Sequence, residues 1–449
     1  MRHYIKHLVL LPMAFICCCT LLEAQEVQSW SLEQLKDSAL RNNHALAIKQ
    51  WQVKEKREKI REDEIKKYPS ATVNGNFLYN FNLGEITIPA GTIGELPLSP
   101  TNTVLLPNTD KNFTVGEHSN FTIGMLAYQP ITQQAKIKTG LEIDKTDVAL
   151  TEKEQVKISL QIKQAIEKVY YGTLITQKQL EEAEAKLALA RSKLTDLENA
   201  LLAGKTINAD KAGLQAGIAS EEQNILKLNI QLQDYMGDLK NLTGINADSL
   251  KLQAIEPATQ QIDVLDQYKS AASSSNTDMQ IARLNQSKAL LGIKAARQSN
   301  IPDLGLVGGY SYQYGNPIFP SHIPFVGVNL KWSLQDVFSN KQIVKQRQFQ
   351  LKQAEENIQY TQQQMNNEIE KAYRKIEQSQ ALIAVAQKAL FYQKEAYKLQ
   401  EDKQAAGLNV KTDLLNAKSL LAKSEADMYA AQLSYLIAVS DLKILTGQF

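Results

Sequence analysis

The chain has 449 residues, and its 50 Lys and Arg stand against 48 Asp and Glu, a formal net charge of +2. That near balance offers no electrostatic case for nucleic acid. No stretch beyond the N-terminus approaches the roughly 18 consecutive apolar residues of a membrane-crossing helix, so a membrane crossing would have to be a β-barrel.

Residues 1–24 read as a signal peptide: Arg2 and Lys6 supply positive charge, and Leu8 to Leu22 form an apolar run too short to span a bilayer. A cut after Ala24 would carry off Cys17, Cys18 and Cys19, leaving neither disulfides nor thiolate metal sites. The same cysteines admit a second reading, in which one of them is lipid-modified.

Residues 31–68 read as a helix. From 71 to 82 the hydrophobic period becomes two: Val73, Gly75, Phe77, Tyr79 and Phe81 share one face, and Asn74, Asn76, Asn80 and Asn82 the other, with Leu78 the exception. Residues 82–118 have a loop's composition, with Pro89, Pro97, Pro100 and Pro107. A second alternating segment, 119–129, carries Phe121, Ile123, Met125 and Ala127. Residues 131–203 then read as a long helix whose seam runs in steps of three and four through Leu180, Ala183, Leu187, Ala190, Leu194, Leu197 and Leu201. Gly204 and the polar residues up to Asp210 interrupt the seam, and a helix over 209–243 resumes it, so the two should fold back as an antiparallel hairpin.

The chain then repeats itself, which divides it into a first repeat, 25–255, and a second, 256–449. A shift of 233 carries Leu32 to Leu265, Lys36 to Lys269, Asn43 to Asn276 and Pro69 to Pro302. A shift of 203 carries Gly204 to Gly407, Asp210 to Asp413, and Leu242-Thr243-Gly244 to Leu445-Thr446-Gly447. The 30-residue difference is an insertion between Pro69 and Gly124. In the second repeat the strands fall at 304–314, with Leu306, Gly308, Tyr310, Tyr312 and Tyr314 on one face, and at 324–333, with Val326, Val328, Leu330 and Trp332.

Each strand has roughly the 9 to 11 residues that cross an outer membrane at a tilt. Phe77, Tyr79, Phe81, Phe121, Tyr310, Tyr312 and Trp332 are the expected lipid-facing aromatics. Four strands cannot close a barrel, since about eight are needed, so the chain must oligomerise; two, three or four copies would serve. The helices at 31–68 and 209–243, end to end, match the one at 131–203 in length, about 110 Å at 1.5 Å per residue. The expected fold is mainly α with a membrane β-barrel portion.

Gly407-Leu408-Asn409-Val410-Lys411-Thr412-Asp413-Leu414-Leu415-Asn416-Ala417 looks like the glycine turn and following aspartate of the TolC family of outer-membrane efflux proteins, and the pattern occurs twice, each time before a helix ending in Leu-Thr-Gly. The chain resembles that family over nearly its whole mature length. The resemblance implies a homotrimeric α/β barrel with 12 transmembrane strands and a tapered helical tunnel. It implies a passive exit duct for efflux or type I secretion, set in outer-membrane lipid of a Gram-negative bacterium with its helices in the periplasm. Its partners would be a periplasmic adaptor protein and an inner-membrane pump of RND or ABC type. By match, Asp413 and Asp210 fall at the periplasmic aperture, and Gly204, Lys205, Gly407 and Leu408 at hairpin tips that meet the adaptor. A blander role for both aspartates is helix N-capping. Where the family carries a Tyr and an Arg that lock the entrance this chain has Gln404 and Asn409, and Asn416 replaces a second carboxylate. A lock must use other contacts, through Lys205 or Lys411.

No catalytic, metal or cofactor constellation stands out. The mature histidines, His44, His118 and His322, lack ligand spacing and suit surface or loop roles, and no P-loop, serine elbow or HExxH motif occurs. The alternative is a periplasmic coiled-coil adaptor or chaperone, which would carry one hairpin between soluble β-domains rather than strands inside both repeats.

Overall fold

The computed structural model describes residues 29–100, 102–204, 209–245, 251–255, 262–316, 319–408 and 411–448. The proposed signal peptide, Lys205 and Asn409 lie outside the described residues, and Asp210 is placed only by its backbone. In chain order the first repeat comprises β1 (Ser29–Trp30), α1 (Leu32–Asn42), α2 (His44–Ile65), β2 (Ser70–Tyr79), β3 (Gly84–Ile88), β4 (Gly94–Ser99), β5 (Asn102–Leu106), β6 (Lys111–Val115), β7 (Ser119–Pro130), α3 (Gln133–Leu202), α4 (Ala209–Thr243) and β8 (Lys251–Leu252). The second comprises α5 (Leu265–Ser275), α6 (Thr277–Gln298), β9 (Asp303–Tyr314), β10 (His322–Lys331), α7 (Leu334–Ala405) and α8 (Lys411–Thr446). The backbone forms two compact units, and each draws segments from both repeats.

One unit takes Met1–Arg41, Ala165–Ala258 and Ala389–Ala430. Here β1 pairs in parallel with β8, and the Tyr170 hydroxyl beside them donates to the Gln253 carbonyl at 2.5 Å. Leu35 and Ala39 of α1, Ile166 and Leu174 of α3 and Leu239 of α4 are buried. The Ser38 hydroxyl donates to the Thr243 carbonyl at 3.2 Å, satisfying an acceptor that the end of α4 would leave open.

The other unit takes Asn42–Gln164, Thr259–Lys388 and Ala431–Phe449. Its core joins Tyr268, Ala272, Met279, Met365, Ile369, Ile376, Tyr435 and Leu442 from α5, α6, α7 and α8. It also holds an antiparallel sheet of order β10-β9-β7-β2. No helix among the described residues is long and apolar enough to cross a membrane.

Three expectations need correction. The helix expected over 31–68 is two, α1 and α2, because Asn43 adopts an extended conformation and its side chain accepts from the Ala45 and Leu46 amides at 3.0 and 3.3 Å. Asn276 does the same between α5 and α6, accepting from the Met279 amide at 3.0 Å. The segment 82–118 is no simple loop: β3 pairs with β6, and β4–β5 form a hairpin in the chain between them. Finally β2 ends at Tyr79 and β10 at Lys331, so Phe81 and Trp332, expected as strand residues, lie just past strand ends; the bend after Asn80 and the start of α7 at Leu334 end the pairing first.

Candidate functional site

Two sets of residues matter, the turns that reverse the long helices and the apolar face of the sheet. At the end of α7, Gly407 takes φ 70°, its amide donates to the Gln404 carbonyl at 3.0 Å, and the Leu408 amide donates to the Lys403 carbonyl at 2.9 Å. This is a Schellman motif, and it requires a left-handed residue at Gly407. A Cβ there would meet nothing within 4 Å, so the glycine serves conformation and not close packing. Gly204 repeats the turn after α3 with φ 69° and an amide bond to the Leu201 carbonyl at 3.0 Å. Gln404 thus lends its backbone to the turn while its side chain is exposed, and Leu408 is 79% exposed.

Asp413 is the third residue of α8, and Asp210 the second of α4. Asp413 therefore does not occupy the position before the first helical residue, so the N-capping role does not hold for it; what remains is a negative charge in the first turn of α8, where the dipole favours it. Asp413 and Asn416 are both exposed and, three apart, lie on one side of α8. The sequence reading missed Thr412. Its hydroxyl donates to the Asp196 carboxylate and lies 2.7 Å from the Ser192 hydroxyl, which ties the start of α8 to the last turns of α3. Ion pairs Arg191–Glu222 and Lys211–Glu198, both 2.8 Å, hold α3 against α4 in the expected hairpin. A Thr preceding an Asp was the available signal, but its partner is 216 residues away.

The register of the sheet lines up apolar residues in rows across its strands. Phe77 lies opposite Phe121, which lies opposite Tyr314; Val73, Met125, Tyr310 and Pro324 form another row, and Ala71, Ala127, Gly308 and Val326 a third. The intervening rows, such as Asn76, Thr122 and Gln313, carry the polar residues, with Leu78, Leu126, Tyr128, Val307, Ile323 and Phe325 as exceptions. Phe77, Tyr79, Phe121 and Tyr310 are exposed, while Tyr312 is half-buried against the His322 ring, 5.3 Å between centroids. His322 Nδ1 also lies 2.5 Å from the Tyr310 hydroxyl, and His118 Nδ1 lies 2.7 Å from the Asn80 carbonyl. His118 and His322 therefore each tie a strand segment to its neighbour. The described residues contain no group of three His, Cys, Asp or Glu placed to hold a metal.

The outer membrane efflux protein family matches residues 269–448. No curated protein matches the chain by sequence. Among solved structures, the Campylobacter jejuni CmeC outer membrane channel superposes with a TM-score of 0.73 at 15% identity, over 93% of this chain and 85% of that one. The outer membrane protein VceC of Vibrio cholerae gives 0.69 at 16% identity, over 93% and 96%. CusC, in a study of its folding and transmembrane channel formation, gives 0.70 at 17% identity, over 93% and 92%. At these identities the structural likeness establishes the fold alone, one this chain shares with those proteins.

Proposed function

We infer that this chain, whose residues 269–448 match the outer membrane efflux protein family, is the outer-membrane exit duct of a tripartite efflux or secretion system. The observation that carries the reading is the four-stranded sheet with one continuous apolar face, whose outermost strands β2 and β10 each pair on one side only. In hydrocarbon an unpaired strand edge costs several kcal/mol per bare group, so β10 of one copy must pair with β2 of the next until a ring closes. Three copies give twelve strands, a homotrimer around one pore. The strands lie within both repeats, as a soluble periplasmic adaptor or chaperone would not have them.

The duct is passive. Its helical part stands in the periplasm, where the turns at Gly204 and Gly407 meet an adaptor protein, and an RND or ABC pump in the inner membrane supplies the energy. Asp413, with Asn416 one turn on, Gln404 and Asn409 nearby in sequence and Asp210 at the matching position of the first repeat, lines the aperture. The test is the mass of the detergent-solubilised protein by light scattering, together with conductance in planar bilayers. A trimer that conducts fits; a non-conducting monomer rejects the reading.

A further inference from the structure

We propose that the junction between α2, β2 and α3 holds the headgroup of one anionic phospholipid of the periplasmic leaflet, seated between Lys67, Lys138 and Lys145. The proposal rests on the membrane reading of the sheet given above.

A cavity of about 480 Å³ opens at this junction, lined by Lys67, Gln134, Lys138, Leu141, Glu142 and Lys145. Lys67 lies two residues past α2 and three before β2; the other residues span the first turns of α3, immediately after β7. The site therefore sits at the foot of the two first-repeat strands. Two amides fix it to their outer face. Gln129 continues the odd-numbered apolar row of β7, and its side-chain amide donates to the Lys67 carbonyl at 3.1 Å. Gln134, in the cavity wall, donates to the same carbonyl at 2.8 Å.

The charge in the cavity is positive. Neither Lys138 nor Lys145 has a carboxylate within salt-bridge distance among the described residues, and Lys67 reaches Glu64 only at 4.0 Å. The one acid in the wall, Glu142, is held by Lys294 from α6 at 2.8 Å. That hydrogen bond, with Lys138 and Lys145 nearby, keeps the Glu142 carboxyl below the usual range, so it stays ionised and already partnered. Two unpaired ammonium groups and a third loosely paired one suit a phosphate diester, and the first turn of α3 adds its dipole. Acyl chains attached to that phosphate would rise along Ala71, Val73, Met125 and Ala127, whereas free phosphate has no use for such a wall.

The internal repeat supplies a control. The shifts of 233 and 203 carry Lys67, Lys138 and Lys145 to Asn300, Lys341 and Gln348, so the second repeat keeps one lysine of three. The site should occur once per chain.

The test uses the full protein in detergent, titrated with dioleoyl phosphatidylglycerol or dioleoyl phosphatidylcholine and read by native mass spectrometry. The expected result is one phosphatidylglycerol retained per chain, about tenfold tighter than phosphatidylcholine; the K138Q/K145Q double variant loses that preference, and K341Q keeps it. Equal retention of the two lipids by the wild type, or loss of the preference in K341Q as large as in the double variant, overturns the proposal. So does displacement of phosphatidylglycerol by equimolar inorganic phosphate. Flotation with phosphatidylcholine vesicles separates the two readings: a protein that floats but shows no lipid preference overturns only the headgroup site, whereas one that does not float overturns the membrane reading as well.

Discussion

The Lys36 ammonium lies 2.6 Å from the Glu167 carboxylate, and the residues 233 and 203 positions further on, Lys269 and Glu370, repeat the pair at the same 2.6 Å. The environments differ. In the first pair the side chains are 10% and 7% exposed; in the second, 29% and 41%. Burial pulls the Lys36 pKa down, but hydrogen bonds to Glu167 and Glu33 outweigh it and leave it raised. Glu167→Ala leaves Lys36 only its 2.9 Å bond to the exposed Glu33, so it should cost about 1–3 kcal/mol, while replacing both Lys36 and Glu167 by apolar residues should recover much of the loss. Glu370→Ala should cost little, because water screens the second pair. Thermal melting of the detergent-solubilised protein by circular dichroism checks both; equal losses would reject the distinction.

Asp144 predicts a pH dependence. Burial and the neighbouring Asp63 push its carboxyl up to about 6, while a hydrogen bond to Lys66 holds Asp63 below the ordinary carboxylate value. Between the unfolded value near 3.8 and about 6 the folded protein holds a proton on Asp144 that the unfolded chain has shed. Stability should therefore rise as pH falls from about 7.5 to about 5.5, and decline only in stronger acid, where Asp63 protonates. Asp144→Asn should melt higher than the wild type at the upper pH and change less between the two. A wild-type melting temperature that falls over this interval would contradict the assignment.

At Asp413 the placement separates charge from capping. The residue lies inside α8 and not before it, so Asp413→Asn removes a charge without removing a cap. Three such carboxylates around a narrow mouth would focus a negative potential. The variant should keep near-normal trimer stability, show reduced cation selectivity in planar bilayers, and be blocked less by trivalent cations. Unchanged selectivity sinks the aperture role.

The strand pair β4–β5 should stand outside the cell, because outer-membrane barrels put long connections outside and short turns inside. An epitope at Gly91 would disturb a turn, since its amide donates to the Pro107 carbonyl at 3.0 Å and its carbonyl accepts from Gly94 at 3.0 Å. Placed after Pro100, beyond the end of β4, the epitope should be reached by antibody on intact cells. Labelling that needs a broken outer membrane reverses the topology.

What the sequence made legible was whatever depends on local period. The two-residue alternation through Phe77, Phe121 and Tyr310 is visible without knowing the pairing, and the registered sheet bears out the shared face. The bounds of α4, 209–243, follow from a seam that ends at a Gly. The break at Asn43 is also written in the chain, as a capping residue repeated at Asn276, but the reading of 31–68 as one helix passes over it. Contacts set by sequence-distant partners were out of reach: Thr412 with Asp196, β1 with β8, and the lysines around Leu141. The hairpins inside 82–118 were hidden because four prolines there resemble loop composition, although Ile86 opposite Phe113 is a strand pair.

In the closed ring proposed above, the outer edges of β2 and β10, unpaired within one chain, would make each copy's defect its neighbours' problem. A subunit that can offer β2 but not accept at β10, for instance with Pro in place of Val326 or Val328, would enter a ring and prevent its closure. Co-expressed in equal amount with the normal chain, it should leave only about one ring in eight wholly normal under random assembly of threes. Loss-of-function alleles at this seam should therefore be dominant, whereas alleles that prevent the chain from folding at all should be recessive.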